Sequence, residues 1–147
     1  MAAKVFVDTN VLVYSRDTSE TSKQAHAITW MGHLWKTRAG RLSYQVLQEF
    51  YITVTEKLDP GMDRESARKD IRSLLPWQPL PLDSRVFDGA WHIQDRFGLS
   101  WWDALIVSAA QVADCHYLLT EDLQDGQVFG NLKVVNPFNT SPERLEN

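Results

Sequence analysis

Val5-Phe6-Val7-Asp8-Thr9-Asn10-Val11-Leu12-Val13-Tyr14 joins two apolar runs through three polar residues. The first run reads as a buried strand over residues 3–7. The second reads as a short helix capped by Thr9 or Asn10 and ending at Tyr14 or Ser15. An acid at such a junction stands at the carboxyl end of a strand, the edge where open α/β sheets bind ligands. Asp8 is therefore the first candidate site residue, although a turn or cap acid accounts for it equally well when it is taken alone.

Beyond this junction the chain keeps alternating strand and helix patterns. A helix is expected over 19–39, with Ala27, Met31, Leu34 and Trp35 as its apolar stripe and Gly40 ending it. A brief strand over 41–43 leads into a helix over 44–58, in which Val46, Phe50, Val54 and Leu58 recur every fourth residue. Asp59-Pro60-Gly61 breaks it, and Asp63 caps a helix to residue 75. The proline-rich stretch 76–82 reads as a short edge strand. Asp83 caps a helix to Phe97, and Ser100 opens another to Ala113 that is apolar almost all round and so deeply buried. Strands over 116–119 and 132–135 flank a loop over 123–131. This alternation predicts an α/β fold with three α/β/α layers around a central parallel sheet of about five strands.

The chain has 147 residues, enough for one domain, expected over 1–138 with a polar tail over 139–147. Hydrophobic (44%) and charged (23%) fractions are ordinary for a globular protein, so extensive disorder is excluded. No apolar run approaches the ~20 residues of a membrane helix. Met1-Ala2-Ala3-Lys4 runs straight into the first expected strand without the pattern of a secretion signal, so a cytoplasmic protein is expected. Cys115 is alone, which rules out an internal disulfide and a cysteine-based zinc site. A net charge of −4 argues against a protein that coats nucleic acid.

Three further acids stand out by placement. Glu49 flanks the buried stripe of its helix, with Gln45 one turn before it. Asp103 closes Ser100-Trp101-Trp102-Asp103, a pattern like a capping box, at the start of the most apolar helix. A lone carboxylate buried there is costly unless it is paired or metal-bound. Asp122, with Glu121 and Asp125 nearby, follows a strand that delivers it to the same sheet edge as Asp8. Carboxylates crowded at one edge repel one another and raise each other's pKa, a cost that a hard dication removes. Oxygen-only ligation points to Mg²⁺ or Mn²⁺ and away from zinc.

In this order, Val7-Asp8-Thr9-Asn10-Val11-Leu12, Glu49, Leu99-Ser100-Trp101-Trp102-Asp103-Ala104-Leu105-Ile106 and Leu118-Leu119-Thr120-Glu121-Asp122-Leu123 resemble PIN-domain ribonucleases, specifically the VapC-type toxins of toxin–antitoxin pairs. The resemblance implies Mg²⁺-dependent endonucleolytic cleavage of structured RNA of the tRNA or rRNA class, with Mn²⁺ able to substitute. Asp8, Asp103 and Asp122 would hold one or two ions, and Glu49 would be a ligand or a water-orienting base. Thr9, Asn10, Ser100 and Thr120 would orient the carboxylates or contact phosphate. Asp125 would join them, or share or replace the role of Asp122. Arg64, Arg68, Lys69 and Arg72 form one candidate phosphate track and Lys36, Arg38 and Arg41 a second; a solvated helix face accounts for either run. The implied partners are RNA, a small antitoxin whose C-terminal segment occupies the active-site groove, and a second copy of the chain. Trp30, Trp35, Trp101 and Trp102 are candidates for such surfaces.

Two other readings share parts of this pattern. A PIN-like domain that binds RNA or a partner without cleavage would keep the fold and not need the full set of acids. A phosphoaspartyl receiver or phosphatase also places an Asp after its first strand, but Asp8-Thr9-Asn10 lacks the phosphatase's second Asp and no paired acids precede Asp8. P-loop and dinucleotide folds are excluded because no glycine cluster follows a strand.

Overall fold

The computed structural model describes residues 3–145. Strand β1 (Val5–Val7) is buried at all three positions, as a strand covered on both faces must be. It pairs in parallel with β2 (Gly40–Arg41) on one side and β3 (Tyr117–Leu119) on the other. β5 (Leu132–Val135) adds in parallel to β3, and β4 (Val128–Phe129) closes the edge antiparallel to β5. The order is β2-β1-β3-β5-β4. Around this mostly parallel sheet stand α1 (Thr9–Tyr14), α2 (Thr21–Thr37), α3 (Tyr44–Ile52), α4 (Arg64–Leu74), α5 (Ser84–Phe97) and α6 (Trp101–Val112), giving three α/β/α layers. A π-helical turn, Thr53–Lys57, extends α3. α6 buries every residue from Ala104 to Ala110, as its all-round apolar pattern requires. Asp63 and Asp83 cap α4 and α5, each accepting a backbone N–H in the first turn.

The fifth strand is not the one expected. Residues 75–77 form a 3₁₀ turn, and only Leu80 reaches the sheet, bridging Ser43 beyond the end of β2. Proline withholds amide donors at positions 76, 79 and 81, so no ladder can continue there. β4 takes the place within the stretch expected to be a loop. Gly130, at φ +62°, turns the chain so that Val128-Phe129 folds back on β5. Phe129 is fully buried and meets Phe97 edge-on, with ring centroids 4.8 Å apart.

Helix ends also shift. α2 ends at Arg38, which adopts the left-handed conformation (φ 59°), and Gly40 instead enters β2, where a Cβ would collide with the Trp77 ring. α1 is capped by Asp8, not by Thr9 or Asn10. Residues 139–145, expected as part of a polar tail, pack on α2. The Trp30 indole donates to the carbonyls of Pro137 and Thr140, each at 3.0 Å, and Pro142 is buried. Trp30 is thus a core residue and no surface for a partner. Residues 146–147 of that expected tail lie outside the described residues.

Candidate active site

The ends of β1 and β3 lie side by side, with Val7 in register with Leu119. The next residues, Asp8 and Thr120, therefore meet at the carboxyl edge of the sheet. The Thr120 hydroxyl donates to Asp8 Oδ2 at 2.8 Å, and the Thr9 amide donates to Asp8 Oδ1 at 2.7 Å. Asn10, one residue further along α1, spans the gap between the two strand ends. Its Nδ2 donates to Thr120 Oγ1 at 2.9 Å and to Asp122 Oδ2 at 3.1 Å, and stands 3.4 Å from Asp8 Oδ2. The Asp122 amide in turn donates to Thr120 Oγ1. α3 brings Glu49 to the same place, where Oε2 accepts from the Thr9 hydroxyl at 2.9 Å and Oε1 from Gln45 Nε2 at 3.0 Å. Asp103 sits in the first turn of α6, its amide held by the Ser100 cap.

Asp8 is only 7% exposed. Burial, against the hydrogen bonds from Thr120 and Thr9 and with smaller help from the charges of Asp122 and Glu49, pushes its carboxyl up to about 7. Asp103 is raised for the same reasons, first burial and then Asp122 and Glu49. Two acids on different elements thus respond to the same two neighbours, and Asp8, Glu49, Asp103 and Asp122 form one electrostatic cluster.

Among the described residues, no three acids stand close enough to enclose a metal ion by themselves. Asp8 and Glu49 are joined through Thr9, whose amide donates to one and whose hydroxyl donates to the other. The donor set still fits a hard dication of the Mg²⁺ type, which keeps several waters and takes only one or two carboxylates directly. Asn10 Oδ1 adds a second observation. It is buried within the cluster without a hydrogen-bond partner, an acceptor that a cation or its water would satisfy.

The remaining candidates fall elsewhere. Asp125 accepts the Asn136 amide at 2.9 Å and so fastens the chain beyond β5. Arg64, Arg68, Lys69 and Arg72 are exposed on α4. There Arg68 donates to the Tyr51 hydroxyl and Arg72 pairs with Glu65 at 3.3 Å. Lys36, Arg38 and Arg41 lie at or before β2, which is parallel to β1, so the run enters the sheet at the end opposite Asp8.

One group was not singled out from the sequence. Glu121, beside Asp122, accepts the Tyr14 hydroxyl at 2.8 Å and pairs with Lys23 Nζ at 3.0 Å, while Lys23 lies over the Tyr14 and Phe138 rings. Tyr14, Lys23 and Glu121 are far apart in sequence, and only their convergence marks them.

The PIN domain family matches residues 5–124. No curated protein matches the chain. Among solved structures, that of FitAB bound to an IR36 DNA fragment aligns with TM-score 0.72 at 21% identity, covering 97% of this chain and 98% of that one. VapBC2 from Rickettsia felis bound to a promoter DNA fragment aligns with TM-score 0.58 at 16% identity, covering 88% and 96%. A toxin–antitoxin complex from Klebsiella pneumoniae gives 0.57 at 16%, covering 91% and 98%. At these identities the likeness speaks for the fold. The carboxylate cluster at the carboxyl edge of a β2-β1-β3-β5-β4 sheet falls within the matched residues, and the chain belongs to the PIN domain family.

Proposed function

We propose that the protein is a divalent-metal-dependent endoribonuclease, the toxin of a VapBC-type toxin–antitoxin pair that stops translation by cutting structured RNA of the tRNA or rRNA class. The observation that carries this reading is Asp8, a buried carboxylate raised to about 7 by burial and by two neighbouring acids at a sheet edge. Retaining such a group without a compensating cation costs stability, so it is kept for what it binds. Asp8, Asp103 and Asp122 would hold one or two Mg²⁺ ions, one or two of the carboxylates directly and the rest through the ion's water, with Mn²⁺ as a substitute. When bound, the ion supplies charge neutralisation at the scissile phosphate and acidifies water.

The chain's own residues do the rest. Thr9 and Thr120 aim the two oxygens of Asp8, and Asn10 ties Asp8 to Asp122. Glu49, fixed by Thr9 and Gln45, orients the attacking water and accepts its proton. Ser100 positions the first turn of α6 and with it Asp103. Arg64, Arg68, Lys69 and Arg72 would contact phosphates of the RNA beyond the cleavage point.

Two partners follow. The antitoxin's C-terminal segment would occupy the active-site groove, and an apolar groove between α1, α2 and α4, lined by Leu12, Ile28, Met31, Trp35 and Leu74 with Arg16 and Asp70 at its rim, would seat another part of it. Ile28 is 53% exposed there, a large apolar side chain on open surface. Phe87, Trp91 and Trp102, all exposed on α5 and α6, would bury against a second copy of the chain; Phe87 and Trp91 pack on Trp101. The proposed place of action is the cytoplasm; no helix among the described residues is long and apolar enough to cross a membrane. Expression of the chain alone is expected to arrest growth, Asp8→Asn to relieve the arrest, and co-expression of a neighbouring small antitoxin to relieve it as well. Normal growth under verified expression of folded protein would overturn the toxin reading.

A further inference from the structure

The basic run 36–41 has no place at the carboxylate edge, yet it borders a cleft of its own. Trp35, Arg38, Arg41, Pro76, Trp77 and Gln78 line about 560 Å³ at the opposite end of the sheet. That volume lies within the usual range for small-molecule sites. Trp77 forms an aromatic floor, buried against β2 because Gly40 leaves no Cβ in its way. Trp35 continues the wall, 42% exposed, its ring centroid 5.7 Å from that of Trp77.

Charge singles out the same spot. Neither Arg38 nor Arg41 has an acidic partner among the described residues. Arg41 is held in place by Nη1, which donates to the carbonyls of Gly40 at 2.7 Å and Arg38 at 3.1 Å. Two unpaired guanidiniums lining one cleft of a protein of net charge −4 are a local concentration of positive charge. Arg38 and Gln78, whose left-handed conformations (φ 59° and 55°) end α2 and the 3₁₀ turn, bring both segments to the cleft.

We propose that this cleft binds a nucleoside phosphate, the base stacking on the exposed Trp35 ring beside the edge of Trp77 and the phosphate meeting Arg38 and Arg41. Aromatic side chains take any base by its π face, and guanidinium matches phosphate geometry. The site is separate from the carboxylate cluster and does not rest on the nuclease reading. The nucleotide can be free or part of an RNA strand, and the same chemistry serves both.

The test follows the indole N–H resonances of Trp35 and Trp77 by NMR in the intact protein, with chelator present. Adenosine monophosphate is titrated against inorganic phosphate, adenosine and a short oligoadenylate. The expected result is saturable shifts of both indoles with the mononucleotide, at an affinity clearly above that of phosphate or adenosine alone. Arg38→Asn keeps a residue that tolerates the left-handed conformation and should weaken binding about tenfold. Trp35→Ala, at an exposed position, should do the same as read from Trp77. Tighter oligoadenylate binding identifies an RNA segment as the source, and preference for the mononucleotide identifies a free nucleotide. Absence of saturable shifts, equal affinity for inorganic phosphate, or unchanged affinity in both variants overturns the proposal.

Discussion

Replacing Asp8 by Asn is predicted to stabilise the metal-free protein while abolishing its activity. Asn retains an acceptor for the Thr9 amide and so keeps the cap of α1, but the Thr120 hydroxyl, which already accepts from Asn10 and Asp122, loses the oxygen it donates to, at a cost of about 1 kcal/mol. What disappears is a buried charge. The Asp8 carboxyl is raised from 3.8 to about 7 in the folded protein. A raised acid contributes stability that is fully present below the unfolded value and is lost as pH climbs through the folded one. Between pH 4 and pH 7 the wild type should therefore lose about 4 kcal/mol, at 1.36 kcal/mol per unit. Asp8→Asn lacks this loss, so it should be about 1 kcal/mol less stable than wild type at pH 4 and a few kcal/mol more stable at pH 8. For a chain of this size that is roughly 10 °C in Tm. Thermal unfolding in chelator across this range, with variant and wild type side by side, measures it. Added Mg²⁺ should raise the wild type toward the variant and leave the variant unmoved. A variant less stable than wild type at pH 8, or a gap that does not change with pH, would refute the reasoning.

Thr120→Val removes a hydrogen bond that lowers the Asp8 pKa, so the acid limb of the cleavage–pH profile should move to higher pH and cleavage at pH 7 fall about 10–100-fold. Gly40→Ala forces a methyl group into the Trp77 ring and should cost about 1–3 kcal/mol in urea unfolding with cleavage intact. Lys23→Met leaves Glu121 without its cation; it should change stability by less than about 1 kcal/mol, since the pair is partly exposed, and reduce cleavage by loosening the Asp122 loop. Light scattering of the purified chain should give a dimer that Trp91→Glu converts to monomer.

Periodicity made the helices and the parallel strands legible, because burial on one or both faces writes itself directly into residue spacing. α6 and β1 are the clearest cases, one apolar all round and the other buried at every position. The edge was not legible in the same way. Stretch 76–82 has the apolar residues of a strand but too few amide donors, whereas Val128-Phe129 is a two-residue strand visible only through the Gly130-Asn131 turn that follows. Asp8 and Asp122 could be expected together because a parallel sheet sends successive strand ends to one edge, whereas Glu49 stands mid-helix and was assigned from helix order and the resemblance. The hydrogen bonds by which Thr9 joins Asp8 to Glu49 and Asn10 joins Asp8 to Asp122 have no signature in the sequence. Asp122 and Asp125 could not be separated by sequence. The structure gives Asp122 a bond to Asn10 and gives Asp125 to the Asn136 amide. The Tyr14–Lys23–Glu121 contact carries no local signature at all.

The most direct measurement is cleavage of an end-labelled structured RNA by the purified chain under single-turnover conditions, with Mg²⁺, with Mn²⁺ and with chelator, alongside Asp8→Asn. The account predicts discrete internal cuts with either metal, none in chelator, and none by Asp8→Asn although that variant is folded. Equal cleavage by Asp8→Asn, or cleavage unchanged by chelator, would contradict it.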